Sequence, residues 1–75
     1  MKCTIMLIWS EDDKLWYSKS MESSFGLTLE SGSFDALIER VKVAVPELLE
    51  VNGYTGEIDL QFEVERKDKI KAAAS

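Results

Sequence analysis

Cys3, the acidic run Glu11-Asp12-Asp13, the carboxylate pair Asp59 and Glu63, the adjacent rings Trp16-Tyr17 and the glycines Gly53 and Gly56 are the residues whose types and spacing bear on chemistry. A thiol becomes a nucleophile only when a base or a positive neighbour favours its thiolate. The chain contains no histidine and Cys3 has only Lys2 beside it, so Cys3 reads as a small core or edge residue. Glu11, Asp12 and Asp13 lack the spaced oxygen ligands and the glycine of a calcium loop, and they read as a solvated turn. Asp59 and Glu63 are of the type a metal-dependent nuclease clusters on a sheet. Here they alternate with apolar residues, as the wet face of an ordinary strand does. Gly53 and Gly56 are too isolated to cradle a phosphate. Trp16 and Tyr17 lack the lysines and arginines that draw in a nucleic-acid backbone. One cysteine cannot form an intrachain disulfide, and without histidine the usual zinc and haem sites cannot be assembled. These residues predict no enzyme, no catalytic group, no metal and no cofactor.

The elements that must position these side chains fit into 75 residues, enough for one domain with a modest core. The formal charge of −5 argues against binding nucleic acid or an anionic membrane, and suits a soluble protein or one with a basic partner. No apolar run reaches the length of a membrane span, and the first nine residues run into an acidic Ser-Glu-Asp-Asp, unlike a signal peptide. A reducing, cytoplasmic location is expected.

Cys3 to Trp9 reads as a central strand, with Cys3, Ile5, Leu7 and Trp9 on one face and Thr4, Met6 and Ile8 on the other. A polar turn over 10–14 leads to a second strand, Leu15 to Lys19, making a hairpin with a loop longer than two residues. After a polar loop over 20–25 and a turn at Gly26, Leu27 to Leu29 forms a third short strand. Ser33 is placed to cap a helix, with Asp35 in its first turn. Phe34, Leu37, Ile38, Val41, Val45, Leu48 and Leu49 fall on one stripe of that helix, and Asn52-Gly53 ends it. Pro46 lies inside the helix but off the stripe. Its cost of roughly 3 kcal/mol is several-fold smaller than the gross burial of the stripe, so one helix is expected, kinked at Pro46 with its convex side toward solvent. Ile58, Leu60, Phe62 and Val64 then alternate with Asp59, Gln61, Glu63 and Glu65 in a fourth strand, whose apolar side is expected to pack on the helix.

The resulting order, β-β-β-α-β, predicts an α+β fold. A four-stranded mixed sheet in the order 3-2-1-4 would carry one long helix on one face, because a right-handed crossover returns strand four parallel to strand one. Residues 1–65 form the domain and 66–75 a charged tail. The helix covers only one face of the sheet. On the other, Met6 and Ile8, together with Trp16 or Tyr17 depending on register, are expected to form an apolar patch of the kind that marks a protein interface, the alternative being that strand twist and the loop Ser20 to Phe25 cover it.

Asp-Lys-Leu-Trp-Tyr-Ser in strand two, Phe-Gly-Leu-Thr-Leu-Glu-Ser-Gly-Ser in strand three and its turn, and the helix ending Val-Pro-Glu-Leu-Leu-Glu-Val-Asn-Gly resemble the short HicB-like domain family, from Met1 to about Val64. The resemblance implies a partial RNase H-like fold without catalytic acids. It also implies the role of HicB antitoxins, which cover a small basic RNA-cleaving HicA toxin. Many such antitoxins carry a C-terminal DNA-binding segment. This chain ends about ten residues after strand four, so direct DNA binding is not expected. The alternatives are a stand-alone homo-oligomeric domain, as a homodimer, and a degenerate nuclease dependent on Asp59.

Overall fold

A computed structural model describes residues 1–21 and 26–73. The chain runs β1 (Lys2–Ser10), β2 (Leu15–Ser20), β3 (Thr28–Ser31), α1 (Phe34–Val51) and β4 (Asp59–Glu65). The strands form one sheet in the order β3-β2-β1-β4. β1 pairs antiparallel with β2 and parallel with β4, so the expected α+β fold and strand order are found. Its inward residues Cys3, Ile5 and Leu7 are fully buried while Thr4, Met6 and Ile8 on its other face are half-buried. That is the burial expected of an inner strand with a helix on one side only.

The hairpin loop closes on its own side chains. Ser10 lies opposite Leu15 across a four-residue loop, in which Lys14 takes a left-handed conformation with φ 55°. The Asp13 N–H donates to Ser10 Oγ at 3.3 Å, and Ser10 Oγ donates to Asp13 Oδ2 at 3.2 Å. Such local bonds let Ser and Asp hold a turn.

β3 lies slightly later than the alternation suggests. It pairs with β2 from Lys19↔Thr28 to Trp16↔Ser31, while Leu27 sits just before it, 6% exposed, in the core. The buried Ser18 hydroxyl accepts from the Leu29 N–H at 3.0 Å and helps fasten β3 to the sheet. Of the polar loop expected over 20–25, positions 22–25 lie outside the described residues.

α1 is continuous from Phe34 to Val51 and passes through an exposed Pro46. Ser33 caps it, its hydroxyl accepting from the Ala36 N–H at 3.3 Å. Leu37, Val41, Val45 and Leu49 are the buried members of the stripe. At the other end the Gly53 N–H donates to the Glu50 carbonyl at 3.0 Å and the Tyr54 N–H to the Leu49 carbonyl at 2.8 Å. Gly53 has φ +85°, so this is a Schellman cap, in which a left-handed glycine closes the helix. Gly56, at φ +140°, lies against the Tyr54 ring, where a Cβ would stand 3.3 Å from the hydroxyl oxygen.

The helix runs over β2 and β3. The apolar side of β4 meets the shared core in part: Ile58, Leu60 and Phe62 are half-buried and pack against it, while Val64 is 55% exposed. One helix covers four strands about 4.8 Å apart unequally, and its closest approach is to β2 and β3. The tail, 66–73, has no regular structure.

Candidate functional site

The hairpin register decides which ring of the Trp16-Tyr17 pair faces which way. Trp16 lies opposite Trp9, and Tyr17 opposite Ile8. Since neighbouring residues of a strand point to opposite faces, Trp16 turns toward the helix with Trp9, and Tyr17 shares the open face with Ile8 and Met6. Of the four residues expected at an interface, Met6, Ile8 and Tyr17 thus stand together on the uncovered face. Trp16, 8% exposed, belongs to the core.

Two cross-strand rows define the open face. The first runs Glu30, Tyr17, Ile8, Glu65 through the pairings Tyr17↔Glu30, Ile8↔Tyr17 and Ile8↔Glu65. The second runs Thr28, Lys19, Met6, Glu63. Beyond them, Thr4 pairs with Gln61 and Lys2 with Asp59. The centre is apolar and half-buried, while Glu30, Asp59, Glu63 and Glu65 outnumber Lys2 and Lys19 around it. The alternation of β4 announced its acidic side. The contribution of Glu30 became visible only with the register of β3.

At the loop end of the face, Tyr17 donates its hydroxyl proton to Asp13. That bond, then loss of hydration, then the Asp13 charge raise the phenol above its ordinary value of 10.0. Glu11 accepts from Lys14 and from Trp9 Nε1 at 2.8 Å, and these bonds hold its carboxyl below the ordinary value of 4.5. Glu11 and Asp13 are thus occupied within the hairpin. Among the described residues no group of three or more Cys, Asp or Glu side chains is placed to hold a metal ion. Asp59 and Glu63 lie on β4 as solvated side chains, and Cys3 is enclosed in the core.

These bonds have a pH signature. A raised tyrosine pKa means the Tyr17–Asp13 bond contributes stability below the unfolded tyrosine value and loses it as pH rises through the higher folded value. In a spectrophotometric titration, Tyr17 is expected to ionise above 10 and Asp13→Asn to bring it down. An unchanged Tyr17 titration in Asp13→Asn would show that the bond is not made in solution.

On the helix face, Trp16 lies 5.3 Å from Trp9 and 4.9 Å from Phe34, ring centre to ring centre. The Arg66 guanidinium stands over both indoles, 4.7 Å from the Trp9 ring and 5.8 Å from the Trp16 ring. Sequence reasoning missed this contact, because Arg66 reads as the first residue of a solvated tail and carries no periodic signal.

The class of protein defined by this architecture is an α+β domain whose four-stranded sheet is covered by a helix on one face and, among the described residues, left open on the other. Residues 2–73 match the family described as Domain of unknown function (DUF1902), and the chain belongs to that family. No curated protein matches it. It is similar to a solved structure, the hypothetical protein TTHA1013 from the extremely thermophilic bacterium Thermus thermophilus, at 25% sequence identity and a TM-score of 0.68, covering 96% of this chain and 100% of the other. No helix among the described residues is long and apolar enough to cross a membrane.

Proposed function

We propose that the protein is a non-enzymatic protein-binding module resembling a HicB-type antitoxin, which masks a small basic RNA-cleaving partner with the open face of its sheet. The observation that carries this reading is the row Glu30, Tyr17, Ile8, Glu65, an apolar centre between carboxylates on a face the helix leaves uncovered. Apolar contact would supply affinity, and the carboxylate frame would select a basic surface and speed its approach. Occlusion asks for shape and charge, with no catalytic group on this chain.

The test is co-expression of the full chain with a small basic protein encoded beside its gene. A stable complex that suppresses RNA cleavage by the partner is expected. Glu63→Lys combined with Glu65→Lys should weaken the complex at least about tenfold, chiefly through association rate and salt dependence. Absence of a complex, or a complex indifferent to both reversals, would count against this role for the face.

A further inference from the structure

We infer that the open face docks the C-terminal tail of a second copy of this chain, in a reciprocal, tail-exchanged homodimer that a partner must displace. The inference rests on the reading of the open face as a docking surface and adds what occupies it in the free protein.

Charge divides the chain unequally. Arg66, Lys67, Lys69 and Lys71 against Asp68 give the tail a formal charge of +3, so residues 1–65 carry −8 of the total −5. The tail also holds the most exposed large apolar side chain among the described residues, Ile70, at 94%. Lys69 and Lys71 on either side of it make no ion pair among the described residues. Lys67 pairs with Glu65 at 3.4 Å, but that contact is exposed and exchangeable. The family match includes the tail, running to residue 73.

The tail reaches outward. The radius of gyration is 15.2 Å, against about 11 Å for a compact chain of this length. The longest dimension is 60 Å, against 19 and 18 Å for the other two. Eight extended residues reach about 26 Å, more than the ~14 Å across four strands. The sequence Lys69-Ile70-Lys71 also has the order of charges and apolar surface that the first row complements: an isoleucine for the Tyr17–Ile8 centre, and a lysine on each side for Glu30 and Glu65. The lysine stems are long and flexible enough to reach sideways to those carboxylates.

The chain's own tail is badly placed to reach its own face. The tail runs outward past the end of β4, lengthening the molecule to 60 Å, so a return over its own open face would have to reverse its direction. The tail contains no glycine or proline to make that turn. Edge pairing of two β4 strands is a poorer route to a dimer. An antiparallel pair centred on Phe62 would set Asp59 against Glu65, and like charges opposite one another are destabilising.

The experiment uses the purified full chain without any partner, so its outcome is independent of whether a toxin exists. Two single variants, Ile8→Cys and Ile70→Cys, are mixed and mildly oxidised. A disulfide-linked heterodimer is expected, absent from the wild type, whose Cys3 is buried. The double variant Ile8→Cys/Ile70→Cys should give linked dimers, and an intramolecularly bridged monomer would overturn the exchange. Sedimentation should show a wild-type dimer, weakened about tenfold or more by Lys69→Glu/Lys71→Glu with the circular dichroism unchanged. Mixing that variant with Glu30→Lys/Glu65→Lys should restore part of the loss. A wild-type monomer at every concentration, or a dimer insensitive to the lysine reversals, would also overturn it.

Discussion

Leu37→Ala is expected to lower the unfolding free energy by about 2–5 kcal/mol. Leu37 is fully buried in the stripe of α1, among Ile5, Leu7, Val41 and the other members of one small core. Alanine removes the packing of the deleted carbons and leaves a cavity, because close-packed neighbours relax only partly. Its slightly better helix propensity returns a few tenths of a kcal/mol at most. A domain of 75 residues has about 4–11 kcal/mol of stability in all, so this substitution threatens a large part of it. The measurement is the urea midpoint beside that of Val43→Ala, an exposed position on the same helix, which should change stability by no more than about 0.5 kcal/mol. Equal effects at the two positions would mean that the stripe is not the buried face.

That contrast also shows why the helix was legible in the sequence. The stripe repeats at helical spacing past Pro46, and one continuous helix is what forms. Ser33 and Gly53 could be placed as its two ends because their roles depend on local backbone geometry. β4 was legible for the same reason, its period of two being unbroken. The strand order followed from a general rule of crossover handedness.

What pattern could not supply were relations between elements. Trp16 and Tyr17 are both aromatic and adjacent, and only the pairings Trp9↔Trp16 and Ile8↔Tyr17 decide which of them is inside. The helix stripe identified a buried face without saying which strands it would cover. Its closest approach is to β2 and β3, so on β4 Leu60 and Phe62 pack against the core while Val64 is left exposed. Arg66 likewise acquired a role from three-dimensional proximity to Trp9 and Trp16, which a charged sequence run does not reveal.

Trp16→Ala is expected to cost about 3–5 kcal/mol, while Tyr17→Ala one residue later should cost much less stability and act on binding instead. Trp16 joins three parts of the chain: Trp9 on β1, Phe34 at the start of α1, and Arg66 at the root of the tail. Its removal opens a large cavity and takes away edge-to-face packing worth more than its buried area alone. It also loosens the anchoring of the tail. Tyr17 is half-buried on the open face, and truncating it removes the central ring of the proposed interface and the Asp13 bond while leaving the helix-side core packed. Chemical denaturation and partner titration of both variants separate the two roles. Trp16→Ala should lose most of its stability, and Tyr17→Ala should stay folded while its complex weakens by about tenfold or more. The opposite ranking would put the functional surface on the helix side of the sheet, because a side chain needed chiefly for contact with a partner cannot also be the one that closes the core.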